Sequence, residues 1–180
     1  MEDLHNPTLP ARMPMIQTPR LVLHAFEDAD LEDALELLYN DEIKKTFMLP
    51  DFASHADAVE MFRVLQRMSH SEEHFVYGIY CKERLIGFLN DVELDGDSIE
   101  LGYVIHPNWK NQGYATETLT AAIPELFRIG YTSVKAGFFE ENQASRRVLE
   151  KSGMQKTEFT AEIEYRGKTH HCIYYAINKP

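Results

Sequence analysis

His106-Pro-Asn-Trp-Lys-Asn-Gln-Gly-Tyr-Ala-Thr-Glu-Thr-Leu119 decides how the rest of the chain is read. A proline, a tryptophan and a lone glycine end one apolar alternating run, Ser98 to Ile105, and lead directly into a helical period from Tyr114. The stretch is therefore a strand-to-helix loop. A helix start offers unpaired N–H groups and the positive end of the helix dipole, and glycine lets a bulky anion approach the backbone. The loop can hold a phosphate. It is neither a P-loop, since no Gly-Lys-Ser/Thr closes it, nor a dinucleotide fingerprint, since Gly113 stands alone where three glycines are needed.

Working outward, three consecutive strands precede the loop: Phe75–Cys81, Leu85–Leu94 and Ser98–Ile105, joined by Lys82-Glu83-Arg84 and Asp95-Gly96-Asp97 as tight turns. Before them, Arg20–Phe26 reads as a strand, and Asp28 or Asp30 is placed to cap a helix carrying Leu31, Ala34, Leu35 and Leu38. Ser54 is placed to cap a second helix, with Ala58, Met61, Phe62, Leu65 and Met68 on one face. Its methionines are core filler. After the loop, a helix from Tyr114 to Arg128 ends at Gly130; Pro124 inside it predicts a kink, because a proline in a helix interior costs about 3 kcal/mol. Then come a strand over Thr132–Phe139, a helix capped by Asn142 that stops at Gly153, and two strands split at Arg166-Gly167. The order implies an α/β mixed sheet of about seven strands, mostly antiparallel, with helices on both faces. One domain over residues 16–180, after a flexible lead-in over residues 1–15, is expected of 180 residues with 44% hydrophobic content.

The charge narrows the partners. With 29 acidic against 18 basic residues the net charge is −11, which disfavours a nucleic-acid or anionic-lipid surface and suits cationic partners such as amines. No apolar run is long enough to span a membrane, and the amino-terminal residues do not read as a signal peptide. Cys81 and Cys172 follow no metal or redox spacing, which points to a reducing, cytoplasmic setting. Eight histidines form no ligand set: His70 and His74 flank a loop, and the side chains of His170, His171 and Cys172 alternate across a strand, so no metal is expected.

Lys110-Asn111-Gln112-Gly113-Tyr114-Ala115, between "IELGYVIHP" and "NQASRRVLEKSGM", resembles the acetyl-CoA-binding signature of the GNAT superfamily of N-acetyltransferases. The pattern, Gln/Arg-x-x-Gly-x-Gly/Ala, is met at Gly113 and Ala115, with Lys110 in the first place. "TPRLVLHAF" from Thr18 is similar to the opening strand of the ribosomal-protein N-terminal acetyltransferase branch, with His24 where that branch has its second arginine. The resemblance spans Thr18 to Ile177 and implies a GNAT-type sheet whose strand from Thr132 splays away from the strand ending at Ile105 to form an acyl-CoA slot.

It also implies an activity and its parts. Acetyl-CoA would be the co-substrate, with its pyrophosphate on backbone N–H groups of Asn111, Gln112, Gly113, Tyr114 and Ala115 beside Lys110, and its pantetheine arm along Tyr103, Val104 and Ile105 and at Asn142. An N–H near Val104 or Ile105 would hold the thioester oxygen. The acceptor would be a primary amine, a protein N-terminus or a small molecule. Such amines are mostly protonated at neutral pH, so a base is needed; Glu100 is the candidate, with Asp91 and Glu93 as competitors on the adjacent strand. Many family members protonate the leaving thiolate with a tyrosine seven residues after the asparagine. Here Leu149 stands in that place, which leaves the Ser145 hydroxyl. The same departure keeps open a catalytically silent acyl-CoA-binding or regulatory module. An open sheet edge leaves room for a homodimer.

Overall fold

The computed structural model describes Pro7 and residues 14–180, so the expected lead-in lies, apart from Pro7, Pro14 and Met15, outside the described residues. Eight strands form one sheet: β1 (Ile16–Gln17), β2 (Val22–His24), β3 (Tyr77–Cys81), β4 (Arg84–Asp95), β5 (Ser98–Ile105), β6 (Ser133–Phe139), β7 (Gln155–Tyr165) and β8 (Lys168–Asn178). Their spatial order is β1-β2-β3-β4-β5-β6-β8-β7, and every pairing is antiparallel except β5 with β6. Five α-helices cover it: α1 (Leu31–Tyr39), α2 (Asp41–Lys44), α3 (His55–Ser69), α4 (Tyr114–Ile129) and α5 (Gln143–Lys151).

Strand alternation sorts the core into two layers. Tyr77, Ile79 and Cys81 face one side with Ile86 and Leu89, where Leu119, Ala122 and Leu126 of α4 and Leu149 of α5 bury their apolar faces. Val76, Tyr80 and Phe88 face the other, packed against Leu37 and Leu38 of α1 and Phe62 of α3. Helices on both faces of a mixed sheet follow the sequence expectation.

The strand count differs by one. The extra strand, β1, is two residues long and pairs Ile16 with Leu23 and Gln17 with Val22, too short to carry an alternation of its own. The four-residue α2, capped by Asn40 Oδ1 accepting from the N–H of Glu42 and Ile43, was likewise below the reach of a 3.6-residue period. Ser54 Oγ accepts from Asp57 N at 3.2 Å, so α3 is capped as expected. Of Asp28 and Asp30, the second stands at the cap position of α1, but its side chain makes no bond to the helix N–H groups. Both lie in a 3₁₀ turn, Asp28–Asp30, where the Asp30 carboxylate accepts from Glu27 N and from the Tyr80 hydroxyl at 2.6 Å. A buried tyrosine on the neighbouring strand outcompetes the helix start for that carboxylate.

Pro124 lies in α4 on an exposed turn, and the helix continues past it to Ile129. The hairpin turns are as read: Lys82 and Glu83 both take positive φ, 49° and 68°, as do Arg166 and Gly167 at 51° and 73°. Among the described residues no helix is long and apolar enough to cross a membrane.

Candidate active site

β5 and β6 are neighbours only at their first residues, Ser98–Ser133, Ile99–Val134 and Glu100–Lys135. Beyond Glu100, β5 stays with β4 as far as Gly87–Ile105, while β6 pairs along its whole length with β8. The two strands diverge, and the amino end of α5 stands over the gap. His106 N donates to Ile86 O at 2.7 Å, so by alternation the peptide groups of Val104 turn towards β4 while those of Tyr103 and Ile105 turn to the open edge.

Two cavities meet at this divergence. One, of about 360 Å³, runs from Tyr103 and Ile105 to the loop before α4 and is bordered by Lys110, Arg147 and Lys151. Among the described residues no aspartate or glutamate lines it. The other, of about 390 Å³, has Asp91 and Glu100 on its walls and no lysine or arginine. Tyr103, Asn142 and Ser145 line both. In a chain with net charge −11, the three cations and the two acids are segregated into adjoining spaces.

The loop ends in a helix start whose N–H groups face outward from the ladder. Asn111 and Gly113 take positive φ, 59° and 81°, and the first hydrogen bond of the α4 ladder is Glu117 N to Gly113 O at 2.9 Å. The N–H groups of the first turn before Glu117 therefore lack helical partners. An arginine far back in sequence holds the loop in shape. Arg20 donates from Nε to Glu117 Oε2 at 2.7 Å and from Nη1 to Gln112 O at 2.9 Å, and its guanidinium lies 4.4 Å from the Tyr114 ring centre. Thr18 Oγ1 and Arg20 N both donate to Glu117 Oε1, at 2.6 and 3.0 Å. A Cβ on Gly113 would come within 3.3 Å of Arg20 Nη2, so both φ and space call for glycine there.

On the other side, Glu100 of β5 lies directly opposite Glu93 of β4, next to a bulge that leaves Val92 unpaired. Burial raises the Glu100 pKa above the ordinary carboxylate value, the Glu93 charge raises it further, and Lys135 opposes them. The Asp91 carboxylate is engaged by His74 Nδ1 at 2.9 Å. Asn142 caps α5 by accepting from Ser145 N at 3.2 Å, and its Nδ2 donates to Ser145 Oγ at 2.9 Å, which leaves the serine proton free to be given elsewhere. Burial pushes the Tyr103 hydroxyl up to about 12, with Ser145 drawing it the other way. Leu149, where a tyrosine would supply an acid, is buried in the core.

The acetyltransferase (GNAT) domain model matches residues 20–155. The chain belongs to the GNAT acetyltransferase family. A GNAT relative, the uncharacterized N-acetyltransferase YoaA of Bacillus subtilis (strain 168), is 29% identical over 174 residues, spanning 93% of this chain and 98% of its own. Among solved structures, a GNAT acetyltransferase from Bacillus anthracis superposes with a TM-score of 0.79 at 24% identity, over 92% of this chain and 98% of its own. RimL, a ribosomal alpha-N-protein acetyltransferase solved with coenzyme A, does so with 0.82 at 18% identity, over the same shares of each chain. The eight-stranded, mostly antiparallel sheet is the GNAT fold, and the chain is an acyltransferase.

Of the residues singled out from this GNAT sequence, Tyr103, Val104, Ile105, Lys110, Asn111, Gly113, Tyr114, Ala115, Asn142 and Ser145 all border the basic cleft. Gln112 does not; its carbonyl is turned to Arg20. Glu100 borders the acidic cavity instead. Trp109 packs on Tyr114, ring centres 6.1 Å apart, at the cleft wall, and His24 stacks on Tyr80 at 3.8 Å. Arg147 and Lys151 were missed, although one helical turn apart on α5 they share a face that the period alone could have revealed. Among the described residues no group of three or more His, Cys, Asp or Glu is placed to hold a metal.

Glu117 is partly buried, which raises its pKa, but the hydrogen bonds from Thr18 and Arg20 outweigh burial and hold it below the usual glutamate range. A carboxylate whose folded pKa is depressed adds stability above its unfolded pKa and loses it as the pH falls through the folded value. Glu117→Gln should cost roughly 1–2 kcal/mol in urea denaturation at pH 7, at the low end because Arg20 is exposed. The difference from the parent chain should close as both are acidified below pH 4, where the parent loses its carboxylate as well.

Proposed function

We propose that the chain moves the acetyl group of acetyl-CoA to a primary amine by direct attack in a ternary complex. The observation that carries this reading is the sorting of charge at the strand divergence: cations around one cavity, acids around the other, and hydroxyl and amide groups at their junction. A polyphosphate donor matches the first and an amine the second.

The pyrophosphate rests on the N–H groups from Asn111 to Ala115, at the positive end of the α4 dipole, with Lys110, Arg147 and Lys151 adding charge. The pantetheine arm pairs with the open edge of β5 through Tyr103 and Ile105. The thioester oxygen, as it becomes an oxyanion, takes the Ile105 N–H in preference to that of Val104, which turns to β4.

The ammonium of the acceptor gives a proton to Glu100, whose raised pKa makes it a better base than an ordinary glutamate. The amine nitrogen then attacks the carbonyl carbon, an N–C bond forms, and the tetrahedral intermediate collapses with cleavage of the C–S bond. The departing thiolate accepts a hydrogen bond from Ser145, which Asn142 holds in place, and the proton that the nitrogen sheds as the intermediate collapses ends on the sulfur. Leu149 offers no proton in this arrangement. That leucine favours a second reading, a silent acyl-CoA-binding module.

Thiol release measured with acetyl-CoA and an amine panel separates the two, since a silent module binds acetyl-CoA and releases nothing. For the transferase, kcat/KM should fall at low pH along a limb lying above 4.5, the unperturbed glutamate value, and at high pH as the ammonium is lost. Glu100→Gln should lower kcat/KM by about 10²-fold or more and remove the acid limb. Ser145→Ala should lower kcat by about tenfold with the KM for amine little changed, as expected of a group that acts on the leaving sulfur. A Glu100→Gln variant that keeps both rate and limb would eliminate Glu100 as the base.

A further inference from the structure

The cavity that holds Glu100 sets large apolar side chains beside its polar ones. Phe47, Met48, Val92, Ile163 and Tyr174 form much of its wall. Its mouth is apolar as well. Met48 and Val92 are 49% and 55% exposed, and Phe159, 64% exposed, packs edge-on against Tyr174 at 4.9 Å. Large side chains left in water around a cavity mouth mark a surface that an apolar ligand covers.

The polar groups are few and specific. Asp91 accepts from His74 at Oδ2 and keeps Oδ1 buried without a partner, but by strand alternation it faces away from Asn90, so the carboxylate on the Asn90 side is that of Glu100. Beside it, Asn90 donates from Nδ2 to Asp91 O at 3.0 Å, which fixes the amide plane and turns Oδ1 the other way. Asn90 Oδ1 is buried without a partner. It lies against the bare face of Gly102, where a Cβ would be 3.1 Å from Asn90 Oδ1, Phe47 Cε2 and Val92 Cγ2 alike. An orphaned buried acceptor is a standing cost to the fold, part of which a donor N–H recovers on binding.

We infer that the acceptor is a primary amine bearing a single positive charge on an apolar body, its ammonium held between Glu100 and Asn90 Oδ1 and its body against Phe47, Met48 and Val92. The inference rests on the transferase reading and narrows it. Asn90 Oδ1 is buried, so an amine that reaches it requires the side chains around it to give way. A polyamine would leave its second ammonium among apolar walls, where desolvation of an unpaired charge is costly. An amine next to its own carboxylate would set that carboxylate against Glu100 with no lysine or arginine in the cavity to offset it.

The test is steady-state thiol release with acetyl-CoA and matched acceptors: phenethylamine, a dipeptide amide beginning with methionine, one beginning with aspartate, and spermidine. The expected result is a kcat/KM for the apolar-bodied acceptors at least about tenfold above those for spermidine and the aspartyl peptide. Whichever of phenethylamine and the methionyl peptide is faster tells a free amine from a chain terminus. Spermidine or the aspartyl peptide equalling the apolar acceptors overturns the inference while leaving the transferase standing. No thiol release from any acceptor overturns both.

Two variants probe the contacts. Asn90→Ala should raise the amine KM about tenfold and leave the acetyl-CoA KM unchanged. Val92→Asp, at an exposed position that folding tolerates, should move the preference towards spermidine. Retention of the parent preference by Val92→Asp would count against an apolar mouth as the selecting feature.

Discussion

The parting of β5 and β6 is the constraint on which the site depends. The two strands are the sheet's one parallel pair, held together through Ser98–Glu100 and Ser133–Lys135. β5 is bound to β4 along its length and β6 to β8 along its own, so each follows a different half of the sheet. The gap exposes a row of peptide groups at Tyr103 and Ile105 and brings the capped end of α5 above them. Asn142 and Ser145 stand at the junction because the cap requires an asparagine there.

Charge does the second part of the work. The overall negative balance repels anions, and against it Lys110, Arg147 and Lys151 come from two separate elements to gather positive charge at one cavity. The opposed cavity keeps the general sign of the chain, which attracts amines without added design. At its edge, Glu93 opposite Glu100 is a like-charge pair that costs stability and raises the proton affinity of the more buried member.

Much of this was legible in the sequence, for identifiable reasons. Long alternating runs such as Ser98–Ile105 and the turn pairs Lys82-Glu83 and Arg166-Gly167 are local signals, and the structure keeps their boundaries to within a residue or two. Gly113 and Asn142 act through their own backbone neighbourhood and were equally visible. What stayed hidden depends on partners distant in the chain. The role of Arg20 at the loop, the capture of Asp30 by Tyr80 and the orphaned oxygen of Asn90 all require knowing which strands lie side by side. The turn of Gln112 away from the cleft has the same origin, since Arg20 takes its carbonyl.

The grip of Thr18 and Arg20 on Glu117 joins positions 97 or more apart in sequence, and the same arginine fixes the loop at Gln112. The donor loop and the amino-terminal strand are thus linked in the thermodynamic sense: whatever favours one ordered form favours the other by the same free energy. A ligand that ordered the loop would by the same bonds steady the docking of Thr18 and Arg20, which it need not touch.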